Sequence, residues 1–491
     1  MSNVIIINSH PNEMRAAMLS GGIVQEFFVE RMRKRTLVGN IYKGRVVKVL
    51  PGMQSVFVDI GGQRAAFLHV ADVVSISDDG LMSEFASDLS GEQSVSIEEL
   101  IKDGQELVVQ VTKDATGNKG ARLTMRLSIP GRHLVLMPGY PHVGVSRRID
   151  DEEEREKLRA TLKHLRPEKC GLIARTVSKG QSDEDIIADR DYLLRVWDKV
   201  QAQGAISGAP KMLYEDDNLI FRLLRDVADE KTSQIIIDNK KDYTDMRSFC
   251  SDYRPELFDK IIHYDKRTSL FDAYNIELEI DRMLDKKVWL RSGGYIVIDQ
   301  TEALTVIDVN TGKFVGQRNF EETIFQTNIE AAREIAHQLR LRNIGGIIII
   351  DFIDMDIVEN RGKVIALLDE LLKDDRARAS VVNITPLGLV EVTRKRAQES
   401  VLHKMSEPCP YCDGRGVVKA RLAICYDILR NIRRTASERS GGTIVLEAHN
   451  EIVDILVSNE RESLDAIEKE FNVKVEARFQ PHTHLEHYEL K

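Results

Sequence analysis

Two apolar runs, each ending in a carboxylate, constrain this chain more than any other feature: Thr305-Val-Ile-Asp308-Val-Asn310, followed by Thr311-Gly312, and Ile347-Ile-Ile-Ile-Asp351-Phe-Ile-Asp354-Met-Asp356, preceded by Gly345-Gly346. Short apolar runs bounded by glycine read as strands inside a covered sheet. Between them, Phe320, Ile324, Ala331, Ile335 and Leu339 recur at the helical period, with Asn319 as N-cap, Glu322 in the first turn and the Gly-Gly pair as the stop. The reading is strand, helix over 320–342, strand. If the two strands share a sheet, Asp308 and Asp351 converge at one end of it, with Asn310 and Asp354 near. Such a hard-oxygen edge suits Mg²⁺, which takes one or two carboxylates and leaves its other positions to water and phosphate oxygens. One Asp at a strand end is more often a turn residue; two together make the metal-ligand reading an equal alternative. Thr311-Gly312-Lys313 is not a phosphate-binding loop, because the earlier glycine is missing and Phe314 replaces the hydroxyl.

At 491 residues, 42% hydrophobic and 30% charged, the chain should hold three or four globular domains. Its formal net charge of -9 argues against indiscriminate polyanion binding. Nucleic-acid affinity would have to come from local patches, for which Arg31-Met-Arg33-Lys34-Arg35, Arg394-Lys395-Arg396 and Arg430 to Arg434 are candidates, each equally readable as a solvated face. The start lacks a basic n-region and no apolar run reaches the roughly 18 residues of a membrane span. A cytoplasmic protein is expected. Cys170, Cys250, Cys409, Cys412 and Cys425 form an odd, scattered set, which fits a reducing compartment.

In chain order, Met1 to Arg35 offers two alternating strands, Val4 to Ile7 and Gly22 to Val29, too little for a core and so expected to pack on a later segment. Close-spaced strands follow from Gly39, Gln54 and Ala65; after an acidic insertion, Ser75 to Ser94, two more start at Leu107 and Arg122. Five short strands with glycine turns suggest a closed barrel of the OB type. Phe57 and Phe67 are either core residues or exposed rings that stack on unpaired bases. Near the C-terminus, Cys409-Pro-Tyr-Cys412-Asp-Gly-Arg-Gly416 places two thiolates for one metal. A closed zinc site needs four ligands, and Cys425 stands alone in a helical run, so a second pair must come from elsewhere; a metal-free reduced pair is the alternative.

The barrel stretch, opening Gly39-Asn-Ile-Tyr-Lys-Gly-Arg-Val, resembles an S1 RNA-binding domain. With Gly171-Leu-Ile-Ala-Arg175-Thr176, Ile307-Asp308-Val-Asn310, Ile350-Asp351-Phe-Ile-Asp354-Met and the cysteine knuckle, nearly the whole chain resembles the catalytic region of the RNase E and RNase G family of bacterial endoribonucleases. No long extension follows it, which is most similar to the RNase G branch. The resemblance implies an α/β multidomain fold: an RNase H-like domain split over 1–37 and 212–275, an S1 domain over 38–127, a 5′-sensor over 128–211, a DNase I-like catalytic domain over 276–404, a zinc-link over 405–420 and a small α+β dimerisation domain over 421–491. It implies Mg²⁺ held by Asp308 and Asp351, with Asn310 positioning phosphate or water. It also implies Zn²⁺ shared between the Cys409 and Cys412 pairs of two subunits, in a homodimer or tetramer. Phe57, Phe67 and Lys119 would contact RNA, and Arg175, Thr176, Gly131 and Val135, supported by Arg147 and Arg378, would bind a 5′-monophosphate.

The implied activity is Mg²⁺-dependent cleavage of single-stranded, AU-rich RNA, favouring 5′-monophosphorylated ends and leaving 5′-phosphate and 3′-hydroxyl products, in rRNA and tRNA maturation and mRNA decay. Two other classes remain: a non-catalytic S1-domain RNA-binding scaffold, and a metal-dependent phosphatase or deoxyribonuclease. The S1 stretch discriminates against the latter.

Overall fold

In the computed structural model, β1 (Asn3–His10), β2 (Glu13–Ser20) and β3 (Ile23–Arg31) form an antiparallel meander. The sequence reading had two strands here. Glu-Met-Arg-Ala-Ala-Met-Leu-Ser lacks β-branched residues, and pairing on both sides makes it a strand against its local preference. The structure describes residues 2–31, 36–73, 75–76, 82–83, 96–115, 120–312, 320–373, 375–396, 399–438 and 441–491. They fall into two units, Met1–Lys404 and Met405–Lys491.

After the meander, β4 (Ile41–Leu50), β5 (Ser55–Asp59), β6 (Ala66–His69), β7 (Glu106–Lys113) and β8 (Arg122–Thr124) close a barrel in the order β4-β5-β6-β8-β7-β4. Val46, Val56, Val58, Leu68, Val109 and Leu123 fill it. Most of the acidic insertion, and Lys119, lie outside the described residues.

A four-stranded sheet follows, from β9 (Ile129–Pro130), β10 (Leu134–Pro138), β11 (Val143–Val145) and β12 (Cys170–Ala174), ordered β9-β10-β12-β11. Helices α1 (Glu152–Leu165) and α2 (Asp183–Ile206) share its core, their N-termini capped by Asp151 and Ser182. Buried Asp189 of α2 accepts backbone N–H groups of Arg132, His133 and Leu134 at 3.1, 2.9 and 2.8 Å. A Cβ on Gly131 would lie 2.6 Å from an Asp189 oxygen, so this close approach requires glycine. Next, β13 (Lys211–Tyr214) adds to the barrel edge at β4. Then β14 (Thr232–Ile237), α3 (Lys240–Tyr253) and β15 (Ile261–His263) return the chain to the first sheet, ordered β15-β14-β1-β2-β3, with β1 parallel to β14.

The last sheet of this unit comprises β16 (Lys287–Trp289), β17 (Tyr295–Gln300), β18 (Leu304–Asn310), β19 (Gly346–Asp351), β20 (Ala379–Ile384) and β21 (Val390–Arg394), ordered β16-β17-β18-β19-β21-β20. Helices α4 (Phe320–Leu341) and α5 (Val358–Lys373) pack on one face. Ala331, Ala332 and Ala336 bring α4 close to Ile307, Val309, Ile348 and Ile350. Two expectations change. The second apolar run leaves the sheet at Asp351, so Asp354 and Asp356 lie in the loop before α5. Among the described residues the sheet is covered on one face only, with Val306 and Ile347 exposed on the other; an unbroken apolar run does not say which face is covered.

The second unit stacks α6 (Arg421–Glu438), α7 (Asn450–Ser458) and α8 (Arg461–Phe471) on a three-stranded sheet of β22 (Gly442–Ala448), β23 (Val473–Phe479) and β24 (Tyr488–Leu490), with β22 central. Cys425 is buried in that core. No helix among the described residues is long and apolar enough to cross a membrane.

Candidate active site

Strands β18 and β19 are parallel neighbours in register from Leu304 opposite Ile347 to Asp308 opposite Asp351. Their alternate residues Ile307, Val309, Ile348 and Ile350 are buried toward α4 and α5. The pleat therefore turns Asp308 and Asp351 to the open face, side by side at the C-terminal edge. Asn310 Nδ2 donates to Asp308 Oδ2 at 2.7 Å. Burial, then the negative charges of Asp308 and Asp354, push the Asp351 carboxyl above its ordinary range. Converging carboxylates of this kind favour a cation between them. Among the described residues no cluster of three or more His, Cys, Asp or Glu side chains is placed to enclose a metal. A two-carboxylate edge suits an ion that keeps water and phosphate oxygens as its other ligands.

Buried Asn328 on α4 was not foreseen. Its Nδ2 donates to Ile353 O at 2.8 Å and its Oδ1 accepts from Ile353 N at 3.1 Å, clamping the loop that carries Asp354 to the helix. A polar residue at the buried period of α4 was the available signal.

Arg175 and Thr176 follow β12 at the rim of a cavity of about 1420 Å³ that Ser146, Arg148, Arg376 and Arg378 also line. Arg175 Nη1 donates to Gly131 O and, at 2.8 Å, to Asp226 Oδ1. Thr176 Oγ1 lies 3.1 Å from Ser146 Oγ. Val135 pairs opposite Ile173, which lines the cavity. Arg147 is exposed and not among the lining residues; its neighbour Arg148 is. Burial and the adjacent charge of Arg378 lower the Arg148 pKa. Arg378 adopts a left-handed φ of 57° in the turn that Asp375 closes. Asp226 was missed from sequence. Burial raises its carboxyl, but Arg225 and Arg175 outweigh that and hold it below its ordinary range.

Phe57 and Phe67 face each other across β5 and β6 on the outside of the barrel, half-buried, with ring centroids 6.3 Å apart at 65°. They are not core residues. Of the basic runs, Arg394 is buried, with Asp375 at 2.7 Å, and Arg430 and Arg433 pair with Asp427 and Glu470. Arg33, Lys34 and Arg35 lie outside the described residues.

In the second unit Cys409 is exposed and Cys412 half-buried. Backbone N–H groups of Tyr411 and Cys412, then the Cys412 side chain, lower the Cys409 thiol pKa. Gly416 N donates to Cys412 Sγ at 3.3 Å, and Gly414 and Gly416, with φ of 78° and 75°, fold the chain back beneath the thiols. Two cysteines on one tight loop, Cys409 among them with its thiol turned toward thiolate, fit half of a tetrahedral zinc site.

A family model described as Ribonuclease E/G family matches residues 128–397. The chain belongs to the ribonuclease E/G family. A second model, described as RNase E/G, Thioredoxin-like domain, matches residues 408–491. Within the ribonuclease E/G family, the chain is 44% identical over 491 residues to Ribonuclease G of Salmonella typhimurium, covering 100% of this chain and 99% of that protein. It is 46% identical over 463 residues to Ribonuclease G of Haemophilus influenzae, covering 94% and 93%. Against Ribonuclease E of Escherichia coli it is 35% identical over 470 residues, 95% of this chain but 44% of that longer protein. The ribonuclease E/G match includes both Arg175 and the Asp308–Asp351 pair, and the second match includes the cysteine knuckle.

Proposed function

We propose that this protein cuts single-stranded RNA at the Asp308–Asp351 edge, with Mg²⁺ held by those two carboxylates, and leaves 5′-phosphate and 3′-hydroxyl ends. Family membership makes it an endoribonuclease of RNA processing. The observation that carries the metal reading is the register of Asp308 opposite Asp351 together with the raised Asp351 carboxyl. When bound there, a divalent cation polarises the phosphoryl oxygen and lowers the pKa of a water. Asn310 holds Asp308 by its hydrogen bond and presents its carboxamide where the scissile phosphate or a water would sit. Asn328 keeps Asp354 beside the pair.

The finer assignments belong to the same proposal. Residues 1–37 and 212–275 act as a split RNase H-like domain, 38–127 as an S1 domain in which Phe57 and Phe67 stack on bases, and 128–211 as a 5′-sensor. The DNase I-like part is 276–404. The Arg175, Thr176, Arg148 and Arg378 pocket takes a 5′-monophosphate, and Cys409 and Cys412 share zinc with the same pair of a second subunit through the link at 405–420, beside a dimerisation domain over 421–491. AU-rich single strands in rRNA and tRNA precursors and mRNA are the substrates. The test is a 5′-monophosphorylated AU-rich oligomer incubated with Mg²⁺ or with chelator. Cleavage only with Mg²⁺, to 5′-phosphate and 3′-hydroxyl ends, is expected; equal cleavage in chelator, or 2′,3′-cyclic ends, would overturn the metal reading.

A further inference from the structure

The hairpin of β16 and β17 carries three side chains that the proposed chemistry does not use. Trp289 is 62% exposed. Its ring lies 5.4 Å from that of Tyr295 at 64°, and Lys287 Nζ sits 4.0 Å and 3.6 Å from the two ring centroids. In register, Trp289 is opposite Tyr295 and Tyr295 is opposite Asn310. Paired residues share a face, and Ile296, Ile298 and Ile307 occupy the buried one. Trp289, Tyr295 and Asn310 thus form a row across the open face, one step along the strands from Asp308 and Asp351. At ~4.8 Å per strand, the indole is about 10 Å from the strand carrying Asp308.

The row is fixed relative to the carboxylates. Gly312, just beyond Asn310, approaches the hairpin so closely that a Cβ there would lie 2.5 Å from Gly293 O and 3.4 Å from the Tyr295 ring. A Cβ on Gly294 would likewise lie 2.8 Å from Asn310 O. An exposed indole with an ammonium against it offers a stacking surface and a phosphate contact together, the combination that binds unpaired nucleotides without reading their sequence. Bases inside a duplex are already stacked and cannot use it.

We propose that Lys287, Trp289 and Tyr295 form a platform on which one nucleobase flanking the scissile phosphate stacks, so that the sheet itself selects unpaired RNA next to the cut. The position of that base rests on the Asp308–Asp351 reading. An abasic scan along the nucleotides flanking the cleaved bond tests it in wild type, Trp289→Ala and Trp289→Phe. In wild type, one abasic position should lower kcat/KM about 5- to 150-fold. Trp289→Ala should show a similar loss on intact RNA and little further loss at that position, and Trp289→Phe should recover part of the rate. Binding of an uncleavable oligomer should quench the fluorescence of wild type more than that of Trp289→Phe. Full activity of Trp289→Ala, an undiminished abasic penalty in that variant, or altered sedimentation without altered cleavage would overturn the platform, the last showing a protein contact instead. Asp351→Asn, run in parallel, separates the two readings. If it still turns over, the carboxylate assignment fails; if it is dead while Trp289→Ala matches wild type, only the platform fails.

Discussion

Replacing Arg175 with alanine should abolish the preference for a 5′-monophosphate and little else. The guanidinium spends one nitrogen on Gly131 O and Asp226, which orients the fork at the rim of the cavity and leaves its other N–H groups to a phosphate. Charge-assisted hydrogen bonds contribute about 1.5 to 3 kcal/mol, so loss of the fork should slow a monophosphorylated substrate about ten- to hundredfold. Stability should barely change. Asp226 keeps Arg225, at 3.0 and 3.2 Å, and is not left as an unpaired buried charge. The lost Arg175 pair is part-exposed, with 32% and 30% of its two side chains accessible, and such pairs contribute about 0 to 1 kcal/mol. The assay compares kcat/KM on one RNA with a 5′-monophosphate, a 5′-hydroxyl or a 5′-triphosphate, with a thermal melt as control. Wild type should favour the monophosphate, and Arg175→Ala should cut all three at the wild-type 5′-hydroxyl rate. Equal slowing of monophosphate and hydroxyl substrates, or no preference in wild type, would refute the reasoning.

Asp375→Ala should destabilise the protein by about 3 to 5 kcal/mol, seen as a lower denaturant midpoint, because Arg394 is 5% exposed and would be left buried without its carboxylate. Cys409→Ser with Cys412→Ser should release zinc and weaken self-association in sedimentation; one zinc per chain in wild type, instead of one per two chains, would contradict the shared site. Burial lowers the His337 pKa, but hydrogen bonds to Glu334 and Val24 O outweigh it and raise the group overall. Its stabilisation is therefore full below the unfolded pKa of about 6.5 and lost as pH rises through the folded value. Relative to His337→Gln, wild type should lose stability as pH rises from about 6.5; a constant difference between the two would refute this.

The two carboxylate-ending runs and the helix between them were legible because their periods differ and glycine marks their ends. That Asp308 stands opposite Asp351 was conditional on the strands being neighbours, which periodicity cannot say. The middle strand Glu13–Ser20 escaped because its alanines and methionines favour a strand only when paired on both sides. Phe57 was ambiguous until the barrel closed and its neighbours Val56 and Val58 took the interior. Asp226 matters through a partner distant in sequence, Arg175, so no local pattern marks it; Asn328 stood out only as a polar residue at the buried period of α4, and its partner Ile353 lies beyond the helix. Arg147 and Arg148 are adjacent, and only the backbone's course beyond β11 decides which one faces the cavity. Trp289 and Tyr295 were not singled out from the sequence; the open face that exposes them depends on where α4 and α5 pack.

The central claim is that the Asp308–Asp351 edge performs the cleavage. Its most direct test is single-turnover cleavage by Asp308→Asn and Asp351→Asn at saturating enzyme, with RNA affinity measured in parallel. Both variants should bind RNA within a few-fold of wild type and cut it at a rate indistinguishable from background, because the change removes the charge that holds the cation and leaves the binding surfaces intact. Turnover near the wild-type rate in either variant, with Mg²⁺ still required, would place the metal and the chemistry elsewhere.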